Sequence, residues 1–216
     1  MMAVSPFGSE PWKQKSNKSN QVALTFDDGP DPVYTPKILG ILNSRGARAT
    51  FFVLAAKAKI YPQTVRAILG EGHHIALHGL RHRPHLTMTK ECTLKEMKKA
   101  SDLLAELTGH NPIYYRPPWG IMNPWTLTSA QQLKLEIVLW SCDSLDWLWG
   151  IRPQAIVQRI LSCPQLPGGI ILCHDGSFVP HRQKTLLSVL PKVLDELKYR
   201  GYQLVDLPTL LSDENP

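Results

Sequence analysis

Seven short, nearly unbroken apolar runs, each followed by a stretch of helical period, constrain this chain more than any other feature. The runs lie at 22–26, 49–54, 74–78, 113–116, 137–140, 169–173 and 202–205. A strand covered on both faces reads as a continuous apolar run rather than an alternating one, and strands separated by helices pair in parallel. Helical patterns at 35–45, 62–71, 89–108, 123–133, 153–163 and 184–200 fill the intervals, and Gly46, Gly109 and Gly201 read as helix stops. No shift in composition interrupts the alternation. The pattern predicts one α/β unit over 21–211, a barrel or an open sheet, with 1–20 as a flexible leader and 212–216 as a tail.

Several classes fall away. With 43% hydrophobic and 19% charged residues, the chain carries enough apolar surface to form a core, so wholesale disorder is excluded. No apolar run approaches the ~18 residues of a membrane span, and the N-terminus shows no apolar signal segment, which leaves localisation open. The net charge of +6 comes from scattered lysines and arginines, with only Lys13, Lys15 and Lys18 gathered together. No aromatics interleave with them, so a solvated basic surface is expected and a nucleic-acid partner is not. Cys92, Cys142, Cys163 and Cys173 form no CxxC pair and are expected as four free thiols, with a lean toward a reduced compartment.

Chemistry-bearing residues follow the apolar runs. Asp27 and Asp28 follow the first, His78 and His82 the third, and Arg116 ends the fourth; Asp143 and Asp146 follow the fifth, and His174 and Asp175 the sixth. In parallel α/β proteins the carboxyl ends of the strands share one face, and that face holds the site. Five exits therefore deliver Asp, His and Arg to a single rim. His78 and His82 stand four residues apart, a spacing that lets two imidazoles meet one ion in a helix or tight turn. Five of the eight histidines fall between His73 and His85, so the pair alone is weak; His73 and His74 should lie away from the rim or be buried, and His85 should face solvent. Asp27 and Asp28 would point to opposite sides of a regular strand, but the turn at Gly29-Pro30 loosens that alternation, so one carboxylate is free to ligate an ion and its neighbour to accept a proton. An Asp, His, His set leaves coordination positions open, as hydrolytic zinc requires. GxSxG, GxxxxGK[ST] and GxGxxG signatures are absent, and Cys173 is expected behind the rim as a small hydrophobe.

With these residues in hand, the chain resembles the NodB-homology polysaccharide deacetylases, carbohydrate esterase family four, from about Gln21 to Leu211. The motifs run in order: Thr25-Phe26-Asp27-Asp28-Gly29-Pro30, His78-Gly79-Leu80-Arg81-His82, Arg116-Pro117-Pro118-Trp119-Gly120, Asp143-Ser144-Leu145-Asp146-Trp147 and Leu172-Cys173-His174-Asp175. The resemblance implies a distorted (β/α)7 barrel, TIM-barrel-like, in a single domain. It implies one divalent ion, zinc first and cobalt or another transition metal next, on Asp28, His78 and His82. Asp27 becomes the general base and His174 the general acid. Arg116 holds Asp27, an Asp of the fourth motif (Asp146 rather than Asp143) supports His174, and the Trp119 N–H helps stabilise the oxyanion. Trp119, Trp125, Trp147 and Trp149 are candidates to stack on sugar faces, with core packing as the alternative for each.

The chain departs from the family pattern at Gly79, where Ser or Thr is usual. A missing hydroxyl predicts a looser loop around His78, and a Gly79→Ser change that tightens the ion. The expected activity is removal of N-acetyl (or O-acetyl) groups from a glycan, peptidoglycan-like or chitooligosaccharide-like, and the protein is expected to be a monomer. Hydrolysis of a small non-glycan amide and glycan binding without turnover are the competing readings; joint retention of Asp27, Arg116 and His174 argues against the last.

Overall fold

The computed structural model describes residues 11, 13, 20–177 and 183–212, so the leader expected at 1–20 and the tail expected at 212–216 fall almost wholly outside the described residues. In chain order the elements are β1 (Gln21–Gly29), α1 (Tyr34–Asn43), β2 (Thr50–Val53), α2 (Ala55–Ile60), α3 (Pro62–Gly70), β3 (His74–Leu77) and α4 (Lys90–Thr108). They continue with β4 (Tyr114–Tyr115), a 3₁₀ turn (Pro118–Gly120), α5 (Pro124–Gln132), β5 (Glu136–Ile137), β6 (Cys142–Asp143), α6 (Pro153–Leu161), β7 (Ile170–His174), α7 (Gln183–Tyr199), β8 (Gln203–Val205) and α8 (Leu207–Leu211).

Every strand pair is parallel, in the order β5-β4-β3-β2-β1-β7-β6, with β8 added to the start of β1. No pairing joins β5 to β6 among the described residues, so the seven-stranded path curls into a distorted barrel rather than a closed one. β6, α2 and α8 were not expected from the sequence. A two-residue strand carries no period, and α2 and α8 span only six and five residues.

Period-two alternation sorts the core into two layers. Ala23, Phe52, Ala76, Tyr114, Val138 and Ile170 point into the barrel, where Leu207 and Leu210 of α8 pack against them. Their neighbours Val22, Leu24, Phe26, Phe51, Val53, Ile75, Leu77, Ile171 and Cys173 face outward and are covered by α1, α3, α4, α6 and α7. Cys173 thus lies behind the rim. Following the inward parity to the C-terminal part of each strand, or one to three residues beyond its end, yields Asp27, His78, Arg116, Trp140 and His174. The alternation that fills the barrel with apolar side chains therefore also aims the polar ones at its mouth.

Cys142 in β6 and Cys163, just past α6, form a disulfide across a separation of 21 residues, while Cys92 and Cys173 are free. This corrects the expectation of four free thiols and removes the lean toward a reduced compartment. The pairing is set by tertiary packing of α6 against the sheet, which no local spacing announces. Closing a loop of this length restricts the unfolded chain, so Cys163→Ser should destabilise the protein by roughly 3 kcal/mol. Denaturant unfolding of parent and variant under non-reducing conditions measures it; equal midpoints would show that the bridge adds nothing.

Candidate active site

At the mouth of the barrel, β1 breaks its own alternation. Its register against β2 shifts between Asp27 and Gly29, and Asp28 takes a left-handed backbone with φ 72°. This bulge turns both carboxylates toward the rim, settling how adjacent residues share one site. Two close approaches hold the bulge in place. A Cβ on Gly29 would sit 2.2 Å from Asp175 Oδ2, and one on Gly176 would sit 2.0 Å from the Asp28 carbonyl oxygen, so neither position admits a side chain. The Lys57 ammonium donates to the same carbonyl at 2.8 Å.

Asp28, His78 and His82 offer one donor atom each, all within 4.8 Å of one another. His78 Nε2 lies 3.4 Å and His82 Nε2 3.2 Å from Asp28 Oδ1, which is buried and has no hydrogen-bond partner. A buried carboxylate oxygen without a partner is costly unless something else meets it. The fixed tautomer of His78 shows what that is: Nδ1–H donates to the Arg116 carbonyl oxygen at 2.7 Å, which turns the Nε2 lone pair toward Asp28. The two histidines sit in a tight turn rather than a helix, with Arg83 N–H donating to the Arg81 carbonyl oxygen. Protonation states agree. Burial pushes Asp28 up, but the closeness of His78, then of His174 and His82, outweighs it and leaves Asp28 at about 2. Burial brings His82 down to about 4. Anionic carboxylate and neutral imidazole are the forms a cation needs, so the residues present fit a divalent ion.

Asp27 stands beside this set. Its Oδ1 accepts from Arg116 Nη1 at 2.7 Å, while its Oδ2 lies 3.8 Å from His78 Nε2. Across the mouth, His174 Nδ1–H donates to Asp146 Oδ1 at 2.8 Å, and the His174 backbone N–H donates to Asp146 Oδ2 at 2.9 Å. The Ser144 hydroxyl donates to Asp146 Oδ1 at 2.9 Å, which keeps Asp146 aimed. Burial pulls His174 down, but the charge and hydrogen bond of Asp146, then Asp27 and Asp28, raise it to about 9. Asp143 instead caps its own loop, accepting from Leu145 N–H.

The tryptophans are surface groups. Trp119, Trp125, Trp147 and Trp149 are 55%, 41%, 41% and 82% exposed, so core packing does not account for any of them. The Trp119 ring packs edge-on to His82, and its backbone is left-handed with φ 55°. A cleft is lined by Asp28, Asp146, Trp147, His174, Gly176, Ser177 and Gln183. Gln183, at the start of α7, was not foreseen: it is buried, and its Nε2 has no partner. Only its position after the His174 strand hinted at it. Asp175 is likewise drawn in. Burial raises its carboxyl to about 7, against the opposing Thr35 hydrogen bond, and it braces the β1 bulge.

Two expectations need correction. His85 does not face solvent; it is buried, with Nδ1 near the Thr126 hydroxyl and Nε2 near Glu96, filling the space between the His78–His82 loop and α4. Nor does the loop around Gly79 lack support. The Gly79 carbonyl accepts from Ala55 N–H at 3.0 Å, Leu80 N–H donates to Glu96 Oε1 at 2.7 Å, and Gly79 adopts φ 93°. A side chain in that left-handed region is strained, so Gly79→Ser should cost about 1–3 kcal/mol and should not tighten the ion. Thermal unfolding with an ion titration checks both. A variant as stable as the parent that binds the ion more tightly would reinstate the missing-hydroxyl idea.

The chain is similar to known proteins over most of its length. The polysaccharide deacetylase family model matches residues 14–138, more than half of the chain. A peptidoglycan-N-acetylglucosamine deacetylase of Bacillus cereus is 37% identical over 191 residues, spanning 88% of this chain and 68% of its own length. A chitooligosaccharide deacetylase of Sinorhizobium fredii is 33% identical over 198 residues, covering 87% of this chain and 90% of its own. Among solved structures, a peptidoglycan N-acetylglucosamine deacetylase in complex with 4-naphthalen-1-yl-N-oxidanyl-benzamide superposes with a TM-score of 0.86 at 33% identity, covering 94% of each chain.

Proposed function

We propose that this chain, which belongs to the polysaccharide deacetylase family, removes acetyl groups from N-acetylated glycans of the peptidoglycan or chitooligosaccharide kind. The observation that carries the reading is the flanking of one donor set by two opposite proton carriers: the Asp27 carboxylate on one side and the Asp146-paired His174 on the other. A binding protein has no use for both.

Asp28, His78 and His82 would hold one divalent ion, and two imidazoles with a carboxylate suit zinc, with cobalt next. When bound, the ion supplies Lewis-acid chemistry, polarising the acetyl carbonyl and lowering the pKa of water. The rest falls to the chain's own residues. Arg116 occupies Asp27 Oδ1, which leaves Oδ2 to accept the proton of the attacking water. The Trp119 N–H, outside the hydrogen bonds of its turn, serves as donor to the developing oxyanion. His174 donates the proton of Nε2 to the sugar nitrogen as the carbon–nitrogen bond breaks, because Nδ1 is held by Asp146. Exposed Trp147, in the cleft lining, and exposed Trp119, whose ring packs against His82, stack on sugar rings.

Two experiments test this. His82→Ala and Asp28→Asn should bind no stoichiometric zinc by elemental analysis and should lose the zinc-dependent rise in Tm seen with the parent. A parent fully active after exhaustive chelation would sink the ion. On an N-acetylglucosamine oligomer, Asp27→Asn and His174→Ala should lower kcat about 10²–10⁴-fold with ion content unchanged. His174 is protonated below its raised pKa of about 9, so activity should fall as pH rises through a limb between 6.5 and about 9, the bound ion's charge drawing it below 9. Asp146→Asn removes the largest raising influence, so that limb should move toward 6.5. An unmoved limb would separate Asp146 from the acid.

A further inference from the structure

The loop that carries His82 has a second face. Arg81 and Arg83 flank His82 in sequence and are exposed, and together with Leu80, Met88, Glu96 and Lys99 they line a hollow of about 260 Å³ against α4. Its charge balance is uneven. Glu96 is the only carboxylate in the lining, and both its oxygens are engaged, one by Leu80 N–H and one by His85. Arg81, Arg83 and Lys99 have no carboxylate partner among the described residues, whereas Arg45, Arg116 and Arg200 each have one. Three cations thus surround a concave space with an aliphatic floor of Leu80 and Met88. Nucleic acid would call for aromatic platforms, and none lines the hollow. A carboxylate on a carbon that also bears a methyl or ring CH fits both halves: a guanidinium fork takes the carboxylate, and the aliphatic floor takes the carbon.

We propose that this hollow is a subsite for a carboxylate carried by the glycan strand, so that the protein prefers N-acetylated glycans with carboxylated sugars over neutral ones. The inference rests on the glycan reading of the site and deepens it. His82 faces Asp28 while its two sequence neighbours line the hollow, so the loop that carries His82 joins the cleft to the arginines. The charges act on binding, not on chemistry, and their effect is screened by salt.

The test compares two oligomers of equal length: N-acetylglucosamine chains, and strands bearing a lactyl ether carboxylate on alternate sugars. The parent should show the lower KM on the carboxylated strand, and that advantage should shrink as salt is raised. Arg83→Gln and Lys99→Gln should each raise that KM about threefold, and the pair about tenfold, with kcat and ion content unchanged and the neutral oligomer affected less than twofold. Lys99 lies on α4, away from His82 in the chain, so it carries the test alone if Arg83→Gln loses its ion. Equal losses on both oligomers, or no loss on either, overturn the subsite. If the parent releases acetate from neither oligomer, the glycan reading fails on its own, and calorimetric binding decides the hollow: carboxylated strand bound by the parent and lost in the pair sustains it, and binding absent or unchanged overturns it.

Discussion

The Arg116 guanidinium is the interaction on which the rest of the site depends. It is wholly buried, and burial pushes its pKa down while Asp27 pushes back. A buried cation survives only with its donors satisfied. Nη1 donates to Thr25 Oγ1 and Asp27 Oδ1, Nε to the Val138 carbonyl and Nη2 to the Leu139 carbonyl, while Phe52 lies 4.0 Å under the guanidinium carbon. One side chain thereby ties β1 and β4 to the segment that leaves β5. Replacing both partners of a buried ion pair by apolar groups of equal volume is often neutral for stability, so the pair is better understood through what it orients. It decides which oxygen of Asp27 is left for a proton. Through its own carbonyl, Arg116 also decides which nitrogen of His78 is left for an ion.

Strain gathers where that orientation is used. Among the described residues four non-glycine residues have left-handed backbones, and three of them, Asp28, Trp119 and Leu145, belong to the segments that build the site. Each such residue costs about 1–3 kcal/mol unless its surroundings determine it. At Asp28 the surroundings are Gly29 against Asp175, Gly176 against the Asp28 carbonyl, and the Lys57 ammonium. At Leu145 they are the Asp143 carboxylate on its N–H and the Ser144 hydroxyl reaching Asp146. The apolar layers of the barrel supply the stability that tolerates these turns.

Much of this was legible in the residues, and the reason is parity. A strand buried on both faces writes itself as an apolar run, and the first polar residue of inward parity after it arrives at the mouth. That rule accounts for Asp27, His78, Arg116 and His174. It says nothing about elements too short to hold a period, so β6, α2 and α8 passed unseen. Pairing at a distance was equally hidden: the Cys142–Cys163 bridge, the burial of His85 between Thr126 and Glu96, and the bracing of the β1 bulge by Asp175 depend on which helix packs where. Gly79 misled for a different reason. Its missing hydroxyl read as a loss, whereas its φ of 93° makes glycine the residue that suits the turn.

The two histidines of the cleft complete the logic. His82 and His174 begin from the same ordinary value, and burial lowers both. What parts them is the neighbour each is given. His174 has a dedicated carboxylate, Asp146, locked onto Nδ1 and onto its backbone N–H, and it ends near 9. His82 shares Asp28 with His78, burial outweighs that share, and it ends near 4. Pushing like groups apart with unlike environments is how one cleft obtains both a proton donor and a neutral ligand at the same pH. On the proposed reading the donor is the histidine with its own carboxylate, and the ligand the one without.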